Sequence, residues 1–340
     1  MDKIFKYSYK TRMGFMINDD SLQVLNDLTD NEINLVITSP PFPLLRKKEY
    51  GNKEQFEYID WLLTFAKLVY KKLTPDGSFV IDLGGVYQKG VPIRSLYNFR
   101  LLLKLCDEIG FNLAEEFYWY NPSKLPSPIE WVNKRKIRTK DSVNTVWWLS
   151  KTENPKSDVS KVLVPYSERM KKLIKSPSKF YKPKLRPSGH NIGKNFSINN
   201  GGAIPSNLLN IPNSESNSLY FRRCKAANIK THPARFPEKL PKFFIKMLTD
   251  EGDLVVDIFA GSNTTGLVSE KLLRKWISIE NRLDYVSSSV FRFIDESISN
   301  NQIIEMHNLI NDGKKLDISN YQPTQSLFDV DNKNVTYSLS

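Results

Sequence analysis

The sequence predicts an α/β fold built on one large, mostly parallel sheet. Three observations carry that prediction. Short apolar runs alternate with longer segments of helical spacing through most of the chain. Two of the runs, Ile33–Ile37 and Leu254–Ile258, read as buried strands. The first ends in a proline loop, Thr38-Ser39-Pro40-Pro41-Phe42, and the second runs into a small-residue loop, Phe259-Ala260-Gly261, before a helix start. Proline lacks a ladder donor, so the first strand must stop there. Open α/β sheets bind their ligands at the carboxyl ends of strands.

The elements follow in order. Gly14–Asn18 reads as a strand, and Asp20 offers a cap for a helix carrying Leu22, Val24, Leu25 and Leu28. After the Ile33–Ile37 strand, apolar residues from Phe56 to Leu73 recur at helical spacing. Thr74-Pro75-Asp76-Gly77 predicts a turn before the strand Ser78–Leu83. A helix is expected from Ser95 to Ile109, stopped by Gly110. Phe111–Tyr120 and Val143–Leu149 are strand-like, and Trp119, Trp147 and Trp148 suit sheet packing. Pattern fails between about Ser176 and Asn217, where prolines and glycines punctuate a basic stretch. It resumes with a helix from Pro237, the strand Leu254–Ile258, a helix over Thr264–Leu273, the strand Trp276–Ile279 and a helix over Tyr285–Ile294. The polar, aperiodic residues 321–340 read as a flexible tail. The expected organisation is therefore 1–168 as one half of a catalytic domain, 169–227 as an irregular region, and 228–320 as the second half.

Composition narrows the class. At 340 residues the chain can bury a large core. It has no apolar run long enough to span a bilayer and no apolar leader at Met1–Phe5, so a cytoplasmic protein is expected. Two cysteines, Cys106 and Cys224, make neither a disulfide framework nor a zinc site, and no metal is expected. The net charge is +12, from 49 Lys and Arg against 37 Asp and Glu. No acid occurs between Arg169 and Ser214, while that span holds Lys182, Lys184 and Arg186 among other bases; Lys134, Arg135 and Arg138 form a second cluster. Clustered charge of this kind suits a nucleic-acid backbone.

Two loops carry the chemistry. Ser39-Pro40-Pro41-Phe42 places a hydroxyl, a stiffened carbonyl and an aromatic face within four residues, which suits gripping a flat base that bears an amine. In Asp257-Ile258-Phe259-Ala260-Gly261-Ser262-Asn263-Thr264, Gly261 permits close approach of a ligand to the backbone, and the helix start beyond offers free N–H groups to an anion. Glu280, at the end of the next strand, can hold both hydroxyls of a ribose. The loop lacks both the dinucleotide fingerprint and the P-loop lysine, which favours a nucleoside with a small anion, such as S-adenosylmethionine.

Together the Ser-Pro-Pro-Phe and Phe-Ala-Gly-Ser loops resemble the amino-methylating DNA methyltransferases of restriction–modification systems. Having the base-gripping motif first and the cofactor loop last is similar to the beta group of that family. The similarity extends to Arg46–Asn52, Asn121–Pro128 and His232–Pro237, and runs from about residue 13 to 316. It implies a circularly permuted Rossmann-like methyltransferase fold, with a mixed, mostly parallel seven-stranded sheet and a small loop-rich target-recognition region at 169–227. It implies S-adenosylmethionine as cofactor and double-stranded DNA as partner. Serine at the first motif position implies N4 of cytosine as the methylated atom. The match through the recognition segment implies a palindromic target, CAGCTG, modified by a monomer and shared with a cognate endonuclease. Carried over by residue, it implies that Ser39, Pro40, Pro41 and Phe42 meet the target base. Asp20, Thr38, Pro233, Phe236, Asp257, Phe259, Ala260, Gly261, Ser262, Asn263, Thr264 and Glu280 then shape the cofactor pocket. By their clustered charge, Lys134, Arg135, Arg138, Lys182, Lys184 and Arg186 are expected to contact DNA. Asn199, Asn200, Asn207, Asn210 and Asn213 are all candidates for reading adenines.

Two other functions remain open at this point. One is N6-adenine methylation on the same fold; the other is a DNA-binding protein with an inactive cofactor pocket. C5-cytosine methylation is disfavoured, because neither Cys106 nor Cys224 follows a proline as the usual thiolate nucleophile does.

Overall fold

The computed structural model describes residues 6–42, 55–180, 187, 194–214 and 218–323. Arg46–Asn52, Lys182, Lys184, Arg186 and residues 324–340 lie outside the described residues. The strands are β1 (Tyr7–Lys10), β2 (Gly14–Asn18), β3 (Ile33–Thr38), β4 (Leu73–Gly84), β5 (Asn112–Tyr120), β6 (Val143–Ser150), β7 (Leu208–Asn210), β8 (Leu254–Asp257), β9 (Lys275–Glu280) and β10 (Leu316–Asp317). The helices are α1 (Ser21–Asp27), α2 (Gln55–Lys72), α3 (Tyr97–Lys104), α4 (Glu168–Lys175), α5 (Pro177–Phe180), α6 (Leu219–Ala226), α7 (Lys239–Leu248), α8 (Thr264–Lys271), α9 (Leu283–Ser289) and α10 (Asn300–Asn311).

The strands form one sheet in the order β10-β1-β2-β9-β8-β3-β4-β6-β5-β7. The seven strands expected are its centre, from β2 to β5. The surplus strands are short edge additions, β1 and β10 at one side and β7 at the other, too brief to show a period in the sequence. β1, β10 and β6 run against the rest. The carboxyl ends of β2, β9, β8, β3, β4, β5 and β7 therefore share one rim, and β6 begins there.

Both sheet faces are covered. On one, α1, α2 and α3 bury Leu25, Leu62 and Leu101 against residues such as Val36, Phe79 and Trp147. On the other, α7 and α8 bury Phe244 and Val268 against Leu35, Val80 and Val255. Farther along that face α9 and α10 cover Met16 and Trp276. Helices on both faces explain why the central strands are apolar on both sides.

Local departures from the sequence reading have local causes. The turn at Thr74–Gly77 lies within β4, because Leu73 already pairs with Ile33 and the register slips before Ser78 meets Leu35. The helix expected to Ile109 is α-helical only to Lys104 and ends in a wider π turn, closed by Gly110 at φ 95°. α4, α6 and α10 were not expected from the sequence; α4 and α6 are short and flank the stretch where pattern fails.

One buried carboxylate joins distant parts of the chain. Glu270 on α8 accepts from the Thr11 hydroxyl (2.6 Å), the Trp276 indole N–H (2.7 Å) and the Gln322 amide (2.9 Å). Gln322 in turn accepts from the Arg12 backbone N–H at 2.9 Å. Glu270→Ala would strand those donors, and is expected to lower the unfolding free energy by about 2–4 kcal/mol, read as a shift in the urea midpoint.

Candidate active site

The chain leaves β3 toward β4 on one side and leaves β8 toward β9 on the other. The crevice between β3 and β8 is thus the topological switch point of the sheet. Asp257 ends β8 there. Its Oδ1 accepts from the Thr38 hydroxyl at 2.7 Å and from the Phe259 N–H at 3.1 Å. Its Oδ2 accepts from the Thr265 hydroxyl at 2.6 Å. Burial pushes this carboxyl up, and the three donors oppose the shift. A single side chain therefore fixes the end of the Ser39 strand, the start of the glycine loop and the first turn of α8.

One side of the crevice is built on that loop. Gly261 stands at φ 52°, and a Cβ there would lie 3.0 Å from His232 Nε2, so glycine is required on both grounds. Glu280 holds the loop from the neighbouring strand, accepting from the Gly261 N–H and the Arg282 N–H at 3.0 Å each. Its carboxyl is pushed up by burial, which outweighs those two backbone donors. Asn263, itself in the left-handed region, caps α8 by accepting from the Gly266 N–H at 3.0 Å. Arg292, which the sequence reading missed, lies buried beneath the loop and donates to the Ser262 carbonyl (2.6 Å) and hydroxyl (2.9 Å). Phe259 packs its ring on Trp61 and Phe65 of α2, with centroids 5.4 and 5.0 Å away. Pro233 and Phe236 belong to the irregular segment that carries His232 over Gly261. Asp20 caps α1 at the Leu22 N–H (2.8 Å) and is exposed, with its neighbour Asp19 accepting from the Asp20 N–H.

The Ser39 side is one strand over. The Ser39 hydroxyl donates to Asp82 Oδ2 at 3.0 Å, and Asn144 Nδ2 donates to Asp82 Oδ1 at 3.0 Å. Asp82 is buried on β4, and desolvation raises its pKa to about 6 against the pull of those two bonds and of the Lys124 charge. The sequence reading missed Asp82. Its signal was an acid in an otherwise apolar strand, one residue from the strand's expected end. The Phe42 ring packs against Gly84 of β4, where a Cβ would stand 2.5 Å from the ring, so a larger residue there would displace it. The Tyr97 hydroxyl donates to the Gly84 carbonyl from below.

The basic residues are placed more variously. Arg138 spends Nε (3.1 Å) and Nη2 (2.8 Å) on the Pro92 carbonyl, which leaves it tied to a neighbouring loop. Arg135 lies over the Trp131 ring, and Lys134 pairs with Glu130 on the same turn. Of the asparagines, Asn207 donates to the Glu116 carbonyl (3.0 Å), Asn199 accepts from Gly201 (3.0 Å), and Asn213 donates to the Arg235 carbonyl (2.7 Å). Asn210 ends β7, exposed on the shared rim. Among the described residues no group of three His, Cys, Asp or Glu side chains could hold a metal ion, and no helix is long and apolar enough to cross a membrane.

Comparison with known proteins agrees with this geometry. The family model described as DNA methylase matches residues 33–291. The type II methyltransferase M.PvuII of Proteus hauseri is 65% identical over 314 residues, covering 92% of this chain and 94% of that one. The type II methyltransferase M.ScaI of Streptomyces caespitosus is 26% identical, with 86% and 84% covered. Among solved structures, the cytosine-N4-specific PvuII DNA methyltransferase superposes with a TM-score of 0.76 at 56% identity, covering 92% of this chain and 97% of that one.

The cover over Gly261 carries a pH signature. Burial lowers the His232 pKa from 6.5 to about 4, so the folded chain resists protonation that the unfolded chain accepts. Its contribution to stability is complete above pH 6.5 and is lost as pH falls toward 4. Unfolding curves across that window are expected to show a steeper acid slope for the native chain than for His232→Asn.

Proposed function

The chain belongs to the DNA methylase family, and from that premise we propose that it transfers a methyl group from S-adenosylmethionine to N4 of a cytosine flipped out of duplex DNA. It is the modification enzyme of a type II restriction–modification system. The observation that carries the chemistry is the Ser39–Asp82 hydrogen bond, set one strand from the Gly261 loop at the switch point of the sheet.

The residues present fit the cofactor. Gly261 leaves no side chain in the cradle beneath His232, and Glu280 keeps lone pairs beyond the two backbone donors it accepts. Glu280 would hold the ribose, while the segment with Pro233 and Phe236 would cover the methionine end. When bound, the cofactor supplies an electrophilic methyl on a sulfonium.

The amine of cytosine is a poor nucleophile, because its lone pair is delocalised into the ring. The Ser39 hydroxyl donates its hydrogen bond to Asp82, so its oxygen lone pairs are left to accept one N4–H. The Pro40 carbonyl, stiffened by Pro41, accepts the other. Held by two acceptors, the nitrogen turns its lone pair out of the ring plane and toward the methyl. The surplus proton on the methylated nitrogen then passes to the Ser39 oxygen as the Ser39 proton passes to Asp82. A carboxylate of pKa about 6 is ionised at neutral pH and is a better proton acceptor than an ordinary aspartate. Phe42, backed by Gly84, offers its free face to the flipped base.

On this reading residues 169–227 recognise the target, and 1–168 with 228–320 form the methyltransferase body. The target is the palindrome CAGCTG, and a monomer in the cytoplasm modifies its strands in turn. The function is tested by transfer to CAGCTG duplexes, each changed at one base pair, followed by digestion and identification of the modified base. N4-methylcytosine confined to the intact site is expected. N6-methyladenine, or no transfer, would overturn the reading.

Ser39→Ala is expected to cut single-turnover rate by about 100-fold or more while cofactor affinity changes less than about twofold. The native single-turnover rate should rise with pH through about 6 as Asp82 ionises. Asp82→Asn should lose that limb and run about 10²–10⁴ slower at neutral pH.

A further inference from the structure

Asn213 bridges the target side of the rim to the cover of the cofactor loop. Its backbone N–H donates to Asn121 Oδ1 at 3.1 Å, and its side-chain Nδ2 donates to the Arg235 carbonyl at 2.7 Å. Asn121 directly follows β5 and is itself anchored: its N–H donates to the Ser142 carbonyl at 2.8 Å, and its Oδ1 also accepts from the Ser123 N–H at 3.1 Å. On the other side, the Arg235 guanidinium donates to the His232 carbonyl, and the His232 ring lies against Gly261.

The stretch between α6 and α7 that carries His232 has no helix or strand of its own. Its position depends on a few polar ties and on ring packing. His232 N–H donates to the Tyr220 hydroxyl at 3.1 Å, and the His232 ring meets the Tyr285 ring edge-on at 4.2 Å. Those contacts hold one end from the side of α6 and α9. At Arg235 the guanidinium also lies over the Tyr220 and Phe221 rings of α6, and the tie to Asn213 adds a hold from the side of β5 and β7.

We propose that Asn213 is a positioning residue for S-adenosylmethionine: it pins the 232–237 segment over the Gly261 loop from the target side of the cleft. One of the two Nδ2 N–H groups of Asn213 is committed to this tie, and the effect of the tie is on the cofactor. The proposal rests on the cofactor assignment above but not on which base is methylated.

The test is calorimetric titration of the full chain with S-adenosylmethionine in the absence of DNA. Asn213→Ala is expected to bind about five- to tenfold more weakly, the worth of one hydrogen bond. KM for the cofactor should rise by the same factor, with kcat at saturating cofactor and duplex affinity both within about twofold. Asn213→Asp keeps the backbone tie and the side-chain shape but removes the Nδ2 donor, and should match Asn213→Ala. Asn121→Ala acts on the same tie, so the double variant should be no weaker than the weaker single variant. Native cofactor affinity in Asn213→Ala and Asn213→Asp would overturn the proposal. So would a loss of duplex affinity or kcat with cofactor affinity intact, which would make Asn213 a DNA contact. If cofactor binding changes as expected but no N4-methylcytosine forms, the proposal stands and the base assignment falls.

Discussion

The carboxylate of Asp257 is the point from which the site is hung. A buried acid costs free energy unless donors surround it, and here each donor belongs to a different working part. The Thr38 hydroxyl brings the strand end that carries Ser39. The Phe259 N–H brings the glycine loop, and the Thr265 hydroxyl brings the helix beyond it. Methyl donor and methyl acceptor must meet within bonding reach, and the tolerance for error is small. Sharing one acid between the two loops sets their separation more tightly than packing alone would.

The remaining polar groups of the site follow the same economy. Glu280 and Arg292 each support the loop from a side that Asp257 does not reach, one through the Gly261 N–H and the other through the Ser262 carbonyl. Asp82 does for the target side what Asp257 does at the switch point, and Asn144 steadies it from β6. The difference lies in the donors. Those of Asp257 tie the two loops and α8 together, whereas one donor of Asp82 is the Ser39 hydroxyl that we propose meets the target base.

Much of this was legible in the sequence because the informative residues lie next to one another. The strand at Ile33–Thr38 and its proline stop, or the strand at Leu254–Asp257 and its glycine loop, are each written in one short stretch. Asp82 and Arg292 were missed because their meaning depends on partners far away in the chain, 43 and 30 residues off. Arg138 looked like a phosphate ligand by charge alone, and only coordinates reveal that its fork is occupied by the Pro92 carbonyl. The asparagines between 199 and 213 look alike in the sequence, and hydrogen bonding separates the turn at Asn199 from the braces at Asn207 and Asn213. The edge strands β1, β7 and β10 exist through pairing with a neighbour, a property that no single segment displays.

The clasp around Glu270 bears on how such a fold is related to others built from the same parts. β1 and β10 lie side by side, and the Arg12 guanidinium reaches the carbonyls of Gln322 and Pro323 at 3.1 and 3.0 Å. The first and last elements of the sheet are thus already in contact. A short linker between them would make the backbone a closed ring, and cutting that ring in a loop elsewhere would leave every strand neighbour unchanged. The order of the Ser39 motif, residues 169–227 and the Gly261 loop along the chain is then one of several that this sheet could carry. Catalysis constrains only which loops face each other across β3 and β8, so different orders of the same motifs are alternative readings of one circle.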